Sequence, residues 1–394
     1  MAAAYTRRVP RVRMGWVAVG CLALAGCGLS RPAPTGNRPR VLTAQPDART
    51  PCACRTTPKR LRFTSVAPVG VALCGGGTAL AEPTPALSCG TLYVGGGSPK
   101  SHAIIVQGVD AVLDAWACSG ETVFLKGSKK GATGGVGACT GVGCAFGAPA
   151  PSPEPNSATS TCTVLEVAGD PVGLVSCGTG DGGVSIPLKA HVYVTGDLLP
   201  RIPGVQPCPI CTGPAGGQTC KGGARNGKRC HQTVIPTAGI QPTSEDCPPD
   251  RRHYAGTFEV PLVLDTQTQT ATAVAASTEA NARQVFCGFC RDADGKGGFQ
   301  GRRPTEARPC RSSAECAQPF EACDQRSGGA FRRADAVSTS AKGAAAGTIQ
   351  DGEPHPAMLA SVLCVPPSFD DGLDAAFDLP GPAAVSLPGM LQLQ

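Results

Sequence analysis

Aromatic residues make up only 4% of this chain of 394 residues, which has two tryptophans and four methionines. So few large side chains leave little material for a core held together by aromatic packing. The common catalytic signatures are also missing, since no G-x-S-x-G, H-E-x-x-H, C-x-x-C-H or phosphate-loop pattern occurs. The five histidines are scattered, at positions 102, 191, 231, 253 and 355. The sequence therefore singles out no catalytic residue, no metal ligand and no cofactor, although it leaves open a site assembled in space around His191 or His253.

The chain is instead rich in cysteine, glycine and proline, with 22, 52 and 37 residues respectively. Disulfides persist in exported proteins and are rare in the cytosol. A bridge that closes a loop of ten to fifteen residues contributes roughly 2–4 kcal/mol, a large share of a domain's stability. This composition predicts an exported protein that depends on disulfides more than on a large core.

The N-terminus has the features of an export signal. Four arginines precede an apolar run at 16–26, "WVAVGCLALAG", which is too short to span a bilayer and ends in "LAGC". This ending resembles the lipobox of bacterial lipoproteins. The resemblance implies a signal peptide at 1–26 and an acylated Cys27 as the first mature residue, with Gly28 favouring the outer membrane. An ordinary secretory signal that contains a cysteine is the alternative.

A Pro/Arg-rich segment at 27–59 lacks hydrophobic periodicity and is predicted to be a tether between the anchor and the body. The net charge of +6 resides in the leader and this segment, so the remaining body is mildly acidic. An acidic body argues against nucleic acid as a partner. The basic tether is either a solvated spacer or a segment that rests on anionic lipid headgroups.

Two cysteine-rich units, at 208–250 and 287–330, follow a common pattern. Each has a C-x2-C pair, a Gly-rich spacer and a small polar-acidic run into a further cysteine. Zinc binding and thiol redox chemistry are alternatives to disulfides, but no helix-forming sequence follows either C-x2-C pair. We therefore predict disulfides, of unknown pairing, for Cys208, Cys211, Cys220, Cys230, Cys247, Cys287, Cys290, Cys310, Cys316, Cys323 and Cys364.

Short β-branched segments recur on both sides of the two units, which predicts an all-β, antiparallel, sandwich-like body with loop-rich insertions. The late segments 256–276, 357–367 and 383–389 are too few to form a sheet alone. They are predicted to complete the early sheet, so that 60–394 is a single body. Nine cysteines lie within 52–177 and eleven within 208–364, and two odd groups require a bridge between them if all are oxidised.

Several local patterns have simpler interpretations. "GTGDGG" at 178–183 fits a dinucleotide fingerprint, but a strand follows it where a helix is needed, so a turn is predicted. "DADGKGGF" at 292–299 resembles the start of a calcium loop, but Lys296 and Arg303 occupy positions that need oxygen ligands. Helices are predicted only at 277–286 and 370–377. Pro187 and Pro261 are expected to mark strand edges or bulges.

The body from about Cys89 to Gly389 resembles a group of exported, cysteine-rich bacterial proteins without an established activity. The stretches that carry this resemblance are "GGARNGKRC", "TSEDCPPD", "FCGFCRD", "CAQPFEACDQ" and "DLPGPAAVSLPG". It implies export and cysteine cross-links and transfers no catalytic residue.

Two classes of function remain from the sequence. The first is a lipid-anchored surface protein with a binding, adhesion or envelope-structural role and a protein or glycan partner. Crowded cross-links and Gly/Pro loops favour it, with Phe299, Phe320 and Phe331 as candidate contacts in the insertions. The second is an exported hydrolase whose active site is built from loops.

Overall fold

The structure, a computed structural model, describes most of the chain from residue 50 onward. The described residues are 46, 50–65, 80–81, 91–94, 103–106, 108–128, 140–152, 160–195, 208–232, 242–272, 285–292, 298–300, 307–326, 338–368 and 370–394. The predicted signal peptide, Cys27, Phe331, the calcium-like positions 293–297 and nearly all of the predicted helix 277–286 lie outside them.

Strands dominate the described residues. In chain order they are β1 (Arg60–Ser65), β2 (Leu80–Ala81), β3 (Thr91–Tyr93), β4 (Ala103–Ile105), β5 (Asp110–Ser119), β6 (Thr122–Gly127), β7 (Ala150–Ser152), β8 (Ser160–Val167), β9 (Val172–Ser176), β10 (Gly182–Thr195), β11 (Ile210–Thr212), β12 (Thr219–Lys221), β13 (Tyr254–Asp265), β14 (Gln269–Thr272), β15 (Gly288–Arg291), β16 (Pro309–Cys310), β17 (Ala322–Asp324), β18 (Ser338–Ala341), β19 (His355–Val365) and β20 (Gly381–Leu393). One α-helix, α1 (Asp371–Phe377), and 3-10 turns at Arg251–His253 and Ser313–Glu315 accompany them. Within these ranges, no helix is both long and apolar enough to cross a membrane.

A twelve-stranded antiparallel sheet forms the body. Its main path runs β1-β5-β6-β9-β10-β13-β19-β20, and the sheet closes on itself because β1 also pairs with β20. Leu61 shows the closure, since it lies opposite Leu113 of β5 on one side and Leu393 of β20 on the other. β3 and β4 extend the sheet from β20, and β7 and β8 extend it from β10.

The predicted all-β, antiparallel class is confirmed, and so is the return of the late strands. β13 pairs with β10 along nearly its whole length, and β20 pairs with β1. Inward-facing aliphatic side chains from both halves of the chain share one core cluster, which includes Leu125, Leu188 and Leu387. The predicted sandwich-like body is thus a single sheet that encloses its own core.

The predicted turn at "GTGDGG" is also confirmed, because its first four residues, 178–181, connect β9 to β10 and the last two begin β10. Gly180 has φ +71°, and a Cβ at this position would lie 2.6 Å from the carbonyl oxygen of Gly347. Only glycine fits both constraints.

Pro187 and Pro261 do not mark strand edges or bulges as expected, since they lie opposite each other in the middle of the β10–β13 pair, where the register is continuous. On its other side, β10 pairs with β9 up to Ser185 and with β8 from Leu188 onward. Pro187 therefore occupies the gap between two partner strands, where its missing N–H breaks no ladder hydrogen bond.

The predicted helix at 370–377 is confirmed as α1. Asp370 caps it by accepting a hydrogen bond from the Leu373 backbone N–H at 2.9 Å. Leu373 and Phe377, one helical turn apart, are buried, and the Phe377 ring lies 5.2 Å from the fully buried Phe258 ring of β13. The helix thus closes over the core beside β13.

The prediction of a disulfide-rich chain is confirmed, and the two cysteine-rich units have the same connectivity. In the first, Cys208 bonds to Cys162 of β8, and the internal bridges are Cys211–Cys230 and Cys220–Cys247. In the second, Cys287 bonds to Cys364 of β19, and the internal bridges are Cys290–Cys316 and Cys310–Cys323. In each unit the leading cysteine attaches to the sheet and the other four pair first with third and second with fourth.

The bridge Cys162–Cys208 is the link that the odd cysteine counts require between 52–177 and 208–364. Two further bridges, Cys52–Cys118 and Cys54–Cys177, join the end of the predicted tether to the sheet. Cys144 also takes part in a disulfide.

Candidate ligand-binding face

Five polar and aromatic side chains from adjacent strands lie together on the outer surface of the sheet. Glu166 comes from β8, His191 and Tyr193 from β10, and Tyr254 and Thr257 from β13. Alternation places them outside, because their neighbours Leu165, Ala190, Val192 and Phe258 are buried in the core. We call this set the His191 face.

Register brings the members of the face within reach of one another. Thr257 lies directly opposite His191 on one side, and Glu166 lies diagonally across from it on the other, opposite Lys189. Side chains at such positions on one face are close enough to interact.

A β-bulge adds Tyr254 to the face. Val192 pairs with Gly256 and Tyr193 pairs with Tyr254, so Ala255 is an extra residue on β13. Without it, alternation from Thr257 would direct Tyr254 toward the core. The bulge re-aims the ring outward, where it is 49% exposed.

Hydrogen bonds join four of the five side chains into a chain. His191 Nε2 lies 2.9 Å from Glu166 Oε2, and His191 Nδ1 lies 2.7 Å from Thr257 Oγ1. The Tyr254 hydroxyl lies 2.7 Å from the same Thr257 oxygen. A carboxylate only accepts, so a neutral imidazole carries its proton on Nε2 and accepts from Thr257, which in turn accepts from Tyr254.

The two tyrosines form an aromatic pair beside this chain. Their ring centroids are 5.7 Å apart in an edge-to-face arrangement, and the His191 ring lies 6.4 Å from Tyr254. Burial raises the pKa of the Tyr193 phenol, and the neighbouring Tyr254 and Glu166 add to the rise while Arg251 opposes it. The Tyr193 hydroxyl is therefore neutral and available as a donor across the physiological range.

The order Glu166–His191–Thr257 matches that of a catalytic triad, in which a base activates a hydroxyl. Two features oppose that role. The Thr257 oxygen is already engaged by Tyr254, and the neighbouring backbone of β10 is used in ladders with β8 and β13. An acyl-transfer site needs free N–H donors aimed at the developing oxyanion. The geometry suits binding better than acyl transfer.

The residues singled out by the sequence lie apart from this face, with one exception. His191 is at its centre, and His253 ends the 3-10 turn just before Tyr254. Phe320 packs on the disulfides of the second unit. The Arg291 guanidinium lies 6.0 Å above the half-buried ring of Phe299, so these two aromatics serve the insertion itself.

The eleven cysteines named from the sequence all lie in disulfides. Sulfur atoms of Cys211, Cys230 and Cys247 lie within 4.8 Å of one another, as do those of Cys290, Cys310 and Cys316. Zinc is bound by thiolates, so these clusters would offer ligands only after reduction.

Sequence reasoning missed Glu166, Tyr193, Tyr254 and Thr257. The alternation in "KAHVYV" and "GTFEV" places His191, Tyr193 and Thr257 on outer faces, but which strands are neighbours is not visible in the pattern. No protein family, curated protein or solved structure matches this chain.

Proposed function

We propose that this chain is an exported, lipid-anchored surface protein that binds a glycan through the His191 face. The disulfide-stapled β structure is of the extracellular type, because such a density of cross-links needs an oxidising compartment. The "LAGC" motif supports anchoring through acylated Cys27, and Gly28 supports an outer-membrane location in the cell envelope.

The single observation that carries a binding role is the position of the exposed Tyr254 ring and the half-buried Tyr193 ring beside a hydrogen-bonded series of polar side chains. A sugar ring presents an apolar C–H surface edged by hydroxyl groups. The rings of Tyr193 and Tyr254 offer the matching apolar surface, and Glu166, His191 and Thr257 offer acceptors and donors beside it. Because these polar side chains are already held by hydrogen bonds to one another, little side-chain entropy is lost on binding.

The first prediction concerns this face. We expect Tyr254→Ala to weaken binding of a neutral oligosaccharide by at least about tenfold, because it removes the most exposed ring of the platform. Tyr254→Phe keeps the ring and loses only the hydroxyl that reaches Thr257, so we expect a loss of about threefold. A glycan array identifies the oligosaccharide, and calorimetry then measures its affinity for each variant.

His355, the first residue of β19, provides a matched control, since it forms a similar histidine–carboxylate pair at 2.7 Å with Asp351, which precedes the strand. His191→Ala should weaken binding, and His355→Ala should leave it unchanged. Equal effects of the two replacements, or full affinity in Tyr254→Ala, would remove the His191 face from the proposal.

An exported hydrolase is the second candidate, favoured by the Glu166–His191–Thr257 line. Thr257→Val removes the hydroxyl and keeps the side-chain shape. Loss of an ester- or glycoside-hydrolysing activity in this variant, with oligosaccharide affinity retained, would favour the hydrolase over the binding protein.

The second prediction concerns the anchor. We expect the mature protein to begin at Cys27 with a diacylglyceryl thioether on its sulfur, and to fractionate with membranes. Mass spectrometry of the N-terminal peptide tests this, with Cys27→Ser as the control that should remain unprocessed. An unmodified Cys27 in a soluble product would contradict the lipid anchor without affecting the His191 face.

A further inference from the structure

A second aromatic feature lies elsewhere on the sheet, where Trp116 is 52% exposed. Ala115 of β5 pairs with Leu125 and Ala117 pairs with Phe124, so Trp116 is the extra residue of a β-bulge. Its ring packs against Phe124 at 5.9 Å, which limits its motion while leaving half of its surface in water. Because Ala111, Leu113 and Ala115 face the core, alternation along β5 places the Trp116 ring on the outer surface.

The exposed ring borders an open cleft of about 760 Å³ whose charges are mainly positive. Lys59, Arg60 and Lys126 line it together with a single acid, Asp114. Asp114 pairs with Arg60 at 3.2 Å. Lys59 and Lys126 are exposed and have no ion-pair partner among the residues that the structure describes. The cleft therefore holds an excess of positive charge on a body that is mildly acidic.

We propose that this cleft binds an acidic oligosaccharide, one built from uronic acids. Such a sugar has three features that the cleft matches. The Trp116 indole offers a surface for the C–H face of the sugar ring, the two unpaired lysines offer cations for its carboxylate, and Asp114 accepts from its hydroxyls.

The Asp114 carboxylate also favours a sugar over a phospholipid surface. A sugar can place a hydroxyl donor against Asp114 and its carboxylate against the lysines, whereas an array of phosphate headgroups brings negative charge against the whole contact area. The cleft draws on β1, β5 and β6, none of which contributes to the His191 face. The inference therefore stands independently of the function proposed above.

Trp116 makes the test direct, since the chain has only one other tryptophan, Trp16. In a Trp16→Phe background of the full chain, all tryptophan emission comes from the cleft. We expect trigalacturonate to change this emission saturably, and a neutral trisaccharide of the same length to leave it unchanged. Raising NaCl from about 50 to about 500 mM should weaken the binding several-fold, because screening acts on the lysine–carboxylate pairs.

Three variants separate the contribution of the Trp116 ring to binding from that of the two lysines. Circular dichroism first checks that each variant is folded. Calorimetry should show at least about a tenfold loss of trigalacturonate affinity in Trp116→Ala and about a threefold loss in Trp116→Phe, which keeps an aromatic ring. The double variant Lys59→Gln/Lys126→Gln should bind trigalacturonate about tenfold more weakly, and its affinity should depend much less on salt. Lys342→Gln, at an exposed lysine outside the cleft, is the matched control and should bind normally.

If Trp116→Ala does not fold, the double lysine variant still decides the matter. Equal binding of the acidic and neutral trisaccharides, or no effect of replacing Lys59 and Lys126, would overturn the proposal. Trp116-dependent binding to phosphatidylglycerol vesicles without trigalacturonate binding would overturn it in favour of membrane docking.

Discussion

Glu245→Gln is expected to raise the free energy of unfolding above pH 8 by about 3 kcal/mol and to leave it nearly unchanged near pH 4. Glu245 is partly buried in the first cysteine-rich unit. Burial raises the pKa of its carboxyl from 4.5 to about 8, and the charges of Asp246 and Asp110 add to the rise. Ionising this group in the folded protein is therefore unfavourable, and glutamine removes the cost while keeping the shape.

The direction of the pH dependence of stability follows from proton binding to Glu245. Between pH 4.5 and about 8 the folded state holds a proton on Glu245 that the unfolded state has lost. Stability from this group is thus fully present below pH 4.5 and falls as pH rises through that window, by at most about 1.4 kcal/mol for each pH unit. The full window would give about 5 kcal/mol, and entry of water around the ionised carboxylate reduces this to the expected 3.

Urea unfolding at pH 4, 6 and 8.5 measures the effect. The parent protein should lose stability across this range relative to Glu245→Gln, and the two should converge at pH 4. Glu259→Gln, at a partly exposed glutamate on the outer surface of β13, is the control and should follow the parent. If the unfolding free energies of the parent and of Glu245→Gln changed in parallel with pH, the Glu245 carboxyl would ionise freely in the folded state and the prediction would be wrong.

Removing the bridge that attaches the first unit should have a larger effect. The bridge Cys162–Cys208 joins positions 46 residues apart, for which chain entropy predicts a loss of about 4 kcal/mol. Both cysteines are buried, so alanine rather than serine avoids placing unpaired hydroxyls in the core. We expect Cys162→Ala/Cys208→Ala to unfold at lower denaturant and to release the unit from the sheet.

Trypsin reports the release, because Lys221, Arg225, Lys228 and Arg229 are exposed within the unit. Cleavage there should be much faster in the variant, although Cys211–Cys230 and Cys220–Cys247 still hold the fragments together. Cys287→Ala/Cys364→Ala, which breaks the equivalent bridge of the second unit over 77 residues, is the matched comparison. This variant should lose a similar free energy of unfolding and leave cleavage at the four sites of the first unit unchanged. Equally faster cleavage in both variants would show that the two units are not attached independently.

The shared connectivity gives the two units one design. Each unit is attached to a strand of the sheet through its first cysteine, and its other four cysteines pair first with third and second with fourth. These bridges give a short segment with few apolar residues a defined shape. In the described part of the chain, Phe320 of the second unit and Phe286, which immediately precedes it, lie against the sulfur atoms of that unit. The proposed binding surfaces lie instead on the sheet, where Tyr254 and Trp116 expose large rings to solvent.

The sequence by itself determined the class of the protein and the way it is stabilised. Short alternating segments indicated strands, the scarcity of aromatics and abundance of cysteine indicated disulfides, and too few late strands indicated a single body. The odd cysteine counts even required a bridge such as Cys162–Cys208. These conclusions follow from composition and local periodicity, which are properties of neighbouring residues.

Only the tertiary structure decided which distant residues meet. Glu166, His191 and Thr257 come together because β10 lies between β8 and β13, and neighbour order in a sheet is not written in any one strand. Tyr254 faces solvent because a bulge adds one residue to β13, which reverses alternation beyond it. Disulfide pairing was equally hidden, since sequence counts the cysteines but only the folded sheet brings chosen pairs within bonding distance.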